Sequence, residues 1–215
     1  MFTSKLKKEY KRIRKTIIEV NAKLTKLAKP ELILEAGRKL GLVDRKGKLN
    51  LVKEGDTEAM MDLLIFDVEI DGRRLPQLFL DNLGDDFLPA LERQLMENYL
   101  SKTFFSLYEV TNNKKRDYLT LSPLLDAAEF EFFDTVLGRV ADEGWLLAGR
   151  FVPFQEYIVH TGVIYAYAND AKKQLFDYLH EVDDETDAKK IDNHSKYPLY
   201  FYQWYRDFGT PIGQR

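Results

Sequence analysis

The spacing of apolar residues changes character at Phe104, and that change limits the fold more than any other feature of the chain. Before it, apolar side chains recur three and four residues apart, as on one face of a helix. After it, Phe105, Leu107 and Glu109 alternate with Ser106, Tyr108 and Val110, and residues 118–121, 129–133, 144–151 and 156–167 read as short strands. Helical spacing returns over 171–181 and 198–208. Helices, then strands, then helices predict an α+β fold rather than a doubly wound sheet. Closely spaced strands with no helix between them favour a small antiparallel sheet or barrel-like module, closed by a C-terminal helix. The expected organisation is an arm over 1–29 and one α+β domain over 30–215. That domain comprises a helical part (30–103), a β module (104–168) and C-terminal helices (169–215).

Within the helical part, 31–40, 58–68 and 77–82 read as helices, followed by a longer one reaching Lys102 and capped by Asp85 or Asp86. Gly41 and Asp71-Gly72 read as helix stops, and residues 42–43 and 49–52 as a small hairpin. In the β module, Asn112-Asn113, Ser122-Pro123, residues 142–144 and Pro153 read as turns.

The arm carries the strongest charge feature. Residues 1–29 hold ten Lys and Arg against two Glu, a charge of +8. The whole chain is at −3, so the remainder is at −11. Leu6, Tyr10, Ile13, Ile17, Val20, Leu24 and Leu27 follow a 4-3-4-3-4-3 spacing, a seam of about three heptads. Thr3 or Ser4 can cap such a helix and Pro30 marks its end. A stripe of this kind docks on its own body, self-associates, or lies on a membrane surface. The absence of Trp and the narrowness of the stripe disfavour the membrane.

Composition removes several function classes. The chain of 215 residues has no Cys, so it can form no disulfide, thiolate zinc site or iron–sulfur cluster. His160, His180 and His194 lie too far apart for a two-histidine helical motif. Asp183, Glu185 and Asp187 imitate the start of a calcium loop, but Ala188 and His194 stand where the turn glycine and bidentate Glu belong. The run 181–187 is therefore expected to be a solvated polar loop. Phosphate-binding glycine loops, a nucleophile elbow and an S-x-x-K motif are absent from the sequence. No cofactor and no metal is expected. The longest uncharged apolar stretch, 162–168, is far short of the roughly 18 residues of a membrane span. With no secretory signal over 1–20, the expected location is cytoplasmic.

Three clusters remain. Glu129, Glu131 and Asp134 could pair as acid and base, although alternation already explains Glu129 and Glu131 as the wet side of a strand. Tyr197, Tyr200, Phe201, Trp204, Tyr205 and Phe208 share a helical face suited to packing more than to base stacking, since Arg206 is the nearby cation. Lys114, Lys115 and Arg116 form a small basic patch at a strand turn.

Four stretches carry a family resemblance: EAMMDLLIFDVEIDGRRLPQLFL, FFSLYEV, YLTLSPLL and GWLLAGRFVPFQEYIVHTGV, within about 54–165. They resemble a group of uncharacterised bacterial proteins, some of which end in a SEC-C zinc motif. The resemblance implies a helical segment followed by a compact β module and carries no catalytic residue. The Cys-rich SEC-C motif itself is absent here.

The expected function is a non-catalytic intracellular binding or assembly protein. Its N-terminal helix makes protein contacts or self-associates, a homodimer included, through Tyr10, Ile13, Ile17, Val20 and Leu24. The alternative is nucleic-acid association through phosphate contacts from Lys7, Lys8, Lys11, Arg12, Arg14 and Lys15. A third class is an enzyme with an unrecognised carboxylate site.

Overall fold

A computed structural model describes residues 4–83, 87–113, 118–125, 130–154, 157–185 and 196–212. In chain order the elements are α1 (Ser4–Leu27), α2 (Pro30–Lys39), α3 (Asp56–Phe66), β1 (Glu69–Ile70), β2 (Arg73–Arg74), α4 (Leu75–Leu83) and α5 (Ala90–Ser101). Then follow β3 (Phe104–Asn112), β4 (Tyr118–Pro123), β5 (Phe130–Phe133), α6 (Leu137–Val140), β6 (Leu146–Phe154), β7 (Tyr157–Tyr167), a 3-10 turn (Asn169–Ala171), α7 (Lys172–Glu185) and α8 (Tyr197–Phe208). The fold is α+β. The chain forms two compact units. The first holds Met1–Phe104, Arg150–Gln155 and Val159–Val163; the second holds Phe105–Gly149, Glu156–Ile158 and Ile164–Arg215.

In the first unit the seam of α1 is core from Tyr10 to Leu24, while Leu27 at its end is 43% exposed. Ile13 and Ile17 are each 1% exposed, and Val20 and Leu24 are fully buried. Helix α1 packs on α3, α4 and α5, and α2 packs on α3. Pro30 follows the end of α1 and sits in the first turn of α2, where its missing N–H costs nothing. Gly41, with φ +71°, lets the chain leave α2 in a left-handed turn. The expected hairpin at 42–52 reduces to one bridge, Val43 to Leu49.

Asp71-Gly72 does not end α3, which stops at Phe66. It forms the turn of a two-residue hairpin, in which Ile70 pairs with Arg73. Both turn residues have positive φ, +52° and +73°, as the favoured two-residue hairpin turn requires. The caps expected at Asp85 or Asp86 lie outside the described residues, and α5 starts at Ala90 behind Pro89.

Strands β3 to β7 close into a barrel in the order β3-β4-β5-β7-β6. Val110 pairs with Leu121 and Leu119 with Phe132, and all four are buried. The alternation did not signal that β5 and β7 pair in parallel. Nor did it signal α6 between β5 and β6. One turn is too short to show a period, and its start is fixed by the Asp134 carboxylate, which accepts from Val136 N at 2.8 Å and Leu137 N at 2.9 Å. Ser122-Pro123 and Pro153 lie inside β4 and β6 rather than in turns. Both prolines sit at or next to a strand end, where a lost ladder donor is tolerated. In the barrel order the third and fifth strands pair in parallel, and α6 precedes the fourth. Architecture alone assigns no function.

Helix α7 continues through Glu185, so 181–185 is helical where a loop was expected. Leu175, Leu179 and Val182 carry the apolar period past the first acidic residues. Asp187 and the rest of the run lie outside the described residues.

In α8, Phe201, Tyr202 and Trp204 are buried; Tyr202 lies off the expected face, and Phe208, at its end, is 50% exposed. Trp204 meets Tyr167 edge to face at 5.4 Å, and the Tyr167 hydroxyl donates to the Phe201 carbonyl at 2.7 Å. At 5% exposure, Trp204 replaced by Ala is expected to lose about 3–5 kcal/mol. A thermal melt checks this, and a midpoint within a degree or two of the wild type contradicts it.

Candidate functional site

Docking of the seam decides what α1 presents outward. Tyr10, Ile13, Ile17, Val20 and Leu24, the candidate contact residues, lie in the first unit's own core. The candidate phosphate ligands separate by angle around the helix. Lys8, Lys11, Arg12 and Lys15 are exposed, as is Lys5, while Lys7 and Arg14 are half-buried. From Lys5 to Lys15 these cations extend along about 15 Å of helix. Lys15 meets Glu19 one turn on at 3.6 Å, an exposed pair of small energetic value.

Beside this face lies a cleft of about 250 Å³ between α1, α3 and the first-unit segment of β7. Arg14, Ile18 and Asn21 come from α1, and Glu58, Met61, Asp62 and Ile65 from α3. Thr161, Gly162 and Val163 come from β7. Ile18 is 62% exposed at its mouth. Arg14 reaches across, its Nη1 donating to the His160 carbonyl at 2.5 Å.

The polar groups at the base of the cleft are tied to one another. Asn21 Nδ2 donates to the Thr161 carbonyl at 2.8 Å, and Asn21 Oδ1 accepts from the Tyr99 hydroxyl at 2.9 Å. Asp62 Oδ1 accepts from the Thr161 hydroxyl at 3.2 Å. Asp62 Oδ2 accepts from Arg150 Nε at 3.0 Å, and Arg150 Nη2 donates to Asp67 Oδ2. The buried guanidinium lies 4.7 Å from the centre of the Phe66 ring, and that ring meets Tyr99 edge to face at 4.9 Å. Burial raises the Tyr99 phenol above its usual range; the Arg14 cation pulls the other way, and the Asp62 carboxylate adds to the rise.

Asp67 is the titrating member. Burial pushes its carboxyl up to about 6; the Arg150 guanidinium pulls the other way, and Asp62 adds to the rise. A carboxyl whose folded value exceeds its unfolded one gives its full contribution below the unfolded value, here 3.8. That contribution is lost as pH rises through about 6. The folded value lies roughly two pH units above the unfolded one, and each is worth about 1.4 kcal/mol. Relative to Asp67→Asn, the wild type should therefore lose on the order of 3 kcal/mol between about pH 3.5 and about pH 7.5. Paired thermal melts across that range read the difference, and a constant gap rejects the assignment.

The other sequence candidates are not assembled into a site. His160 is buried, with Nδ1 2.9 Å from the Gly162 carbonyl. His194, Glu129 and residues 114–116 lie outside the described residues, as does the position of the Glu131 and His180 side chains. Asp134 caps α6. Among the described residues no group of three His, Asp or Glu is placed to hold a metal, and no helix is long and apolar enough to cross a membrane. A second, largely apolar cleft of about 440 Å³ lies at the junction of α1, α2 and α4.

Sequence reasoning missed Arg150, Asp62 and Asp67. The signal was a single charge within the apolar run of β6 and two Asp flanking LLIF in α3. A charge at a core position needs a counter-charge.

A model for a family of unknown function, DUF7986, matches residues 4–215, and the chain belongs to that family. No curated protein and no solved structure gives a match.

Proposed function

We propose, for this member of a family without an assigned activity, a non-catalytic binding or assembly protein working inside the cell, with the outer face of α1 as its contact surface and an acidic protein as its partner. One observation carries this: the apolar seam is buried in the first unit while Lys5, Lys8, Lys11, Arg12 and Lys15 stay exposed on the same helix. A helix anchored in this way holds its cations in fixed register. Self-association through the seam would require α1 to leave its own core, so it is not part of the proposal. The exposed Ile18 favours a protein over a nucleic acid, because it offers an apolar contact amid the charges. The remaining body, at −11, also repels a duplex beyond the helix.

Stability and binding should separate on this helix. Ile13→Asp with Ile17→Asp buries two unpaired charges and is expected to unfold the first unit, read by thermal melting. Lys8→Glu with Lys11→Glu is expected to leave the midpoint within about two degrees, because exposed pairs add little. A midpoint lowered by the charge reversal as much as by the Asp pair would place the cations in the fold instead.

Binding is tested by fluorescence anisotropy with a labelled poly-glutamate peptide and a labelled oligonucleotide. The peptide is expected to bind, to weaken about tenfold or more between 50 and 200 mM salt, and to be lost on Lys8→Glu with Lys11→Glu. Tighter, equally charge-sensitive binding of the oligonucleotide would transfer the function to nucleic acid. Binding of neither rejects the outer face as a contact surface.

A further inference from the structure

We propose that the cleft beside α1 receives one apolar side chain from an acidic protein segment lying along the flank marked by Lys11 and Arg14. This rests on the basic-face proposal and narrows its partner to a short motif. At about 250 Å³ the cleft falls below the roughly 300–1,000 Å³ of pockets that enclose a whole small ligand, and is suited to an anchor side chain. Its apolar wall comes from Ile18, Met61, Ile65 and Val163. Ile18, at 62% exposure, is a large aliphatic left wet at the mouth, where a partner would cover it.

Charge complementarity names the rest of the segment. Lys11, Arg14 and Ile18 are spaced 3-4, so they share one flank of α1. That flank runs about 10 Å, the span of roughly three extended residues. The acids of the segment face the two cations, and the anchor enters beside Ile18. Arg14 has five N–H donors, of which its bond to His160 uses one, so it can also meet a carboxylate. On the far wall Glu58 disfavours a further acid beyond the anchor. Gly162 leaves one side open: a Cβ placed there would meet only Asn21 Nδ2, at 3.7 Å.

That opening supplies the test. Full-length protein is titrated into two labelled twelve-residue peptides with the same glutamate run, one followed by Leu and the other by Ser. The Leu peptide is expected to bind at least tenfold tighter by anisotropy. Gly162→Leu fills the cleft, and Ile18→Ser removes its apolar lip. Each should bring the Leu peptide down to the Ser peptide while the melting midpoint stays unchanged, and Gly162→Leu should leave the Ser peptide bound as by the wild type. Equal binding of the two peptides to the wild type, still lost on Lys8→Glu with Lys11→Glu, overturns the cleft and leaves the basic face standing. A Leu preference that survives both variants also overturns it. Binding of neither peptide overturns both proposals.

Discussion

The buried guanidinium of Arg150 is the constraint around which the polar part of the first unit is arranged. Taking it out of water costs several kcal/mol unless acceptors surround it. Asp62 and Asp67, at either end of the apolar run in α3, supply them, and Phe66 between them supplies a ring face. Replacing such a cluster by apolar side chains often costs nothing, so stability alone does not account for it. Register is the better account. Slipping β6 by one residue would turn Arg150 to the opposite face, away from both carboxylates. A strand whose other side chains are almost all apolar has few other features that forbid such a slip.

The N-terminal helix poses the opposite balance. Its charge is conspicuous, yet charge is not what holds it. Five large seam side chains, buried at about 1.5–3 kcal/mol for each aliphatic, outweigh exposed pairs worth at most about 1 kcal/mol. The pair Lys23 with Glu92, which joins α1 to α5 at 2.5 Å, orients a helix already bound by its apolar stripe. The cations on the outer face are therefore available for another role, and their one-sided placement is what the binding proposal builds on.

What could be read from the sequence follows range. The α1 seam and the switch at Phe104 are local periodicities, and each was legible; the face of α8 was legible in part, since Phe208 on it is exposed and the buried Tyr202 lies off it. The parallel pairing of β5 with β7 and the Arg150 cluster join distant segments; Arg150 and Asp62 are 88 positions apart. Alternation describes one strand and cannot name its neighbour. The Asp71-Gly72 hairpin was within reach, because that dipeptide is the strongest short hairpin signal, but its flanking strands of two residues carry no visible alternation. For the candidate site, the cations of α1 were legible as a group. The division into an outer face and a flank facing the cleft needed the direction in which the seam docks.

The hydrogen bonds under the cleft also bear on what kind of chemistry it offers. A general acid or base needs an atom free to meet a reactant. Both oxygens of Asp62 already accept, one from Thr161 and one from Arg150. The Asn21 carbonyl takes the Tyr99 hydroxyl, and its amide holds the Thr161 carbonyl. These groups satisfy one another and fix the walls, so the partner proposed above would meet a recess with apolar walls, cations along one side and Glu58 on the other. Rigid walls lower the ordering cost of association, which favours selective binding of a short segment. Asp67, whose carboxyl titrates near 6, lies behind those walls and acts on the cleft only through Arg150 and Asp62. Protonating it removes one negative charge beside Arg150 while the Asp62 bond remains, so the wall adjusts in charge without losing the bond that positions it.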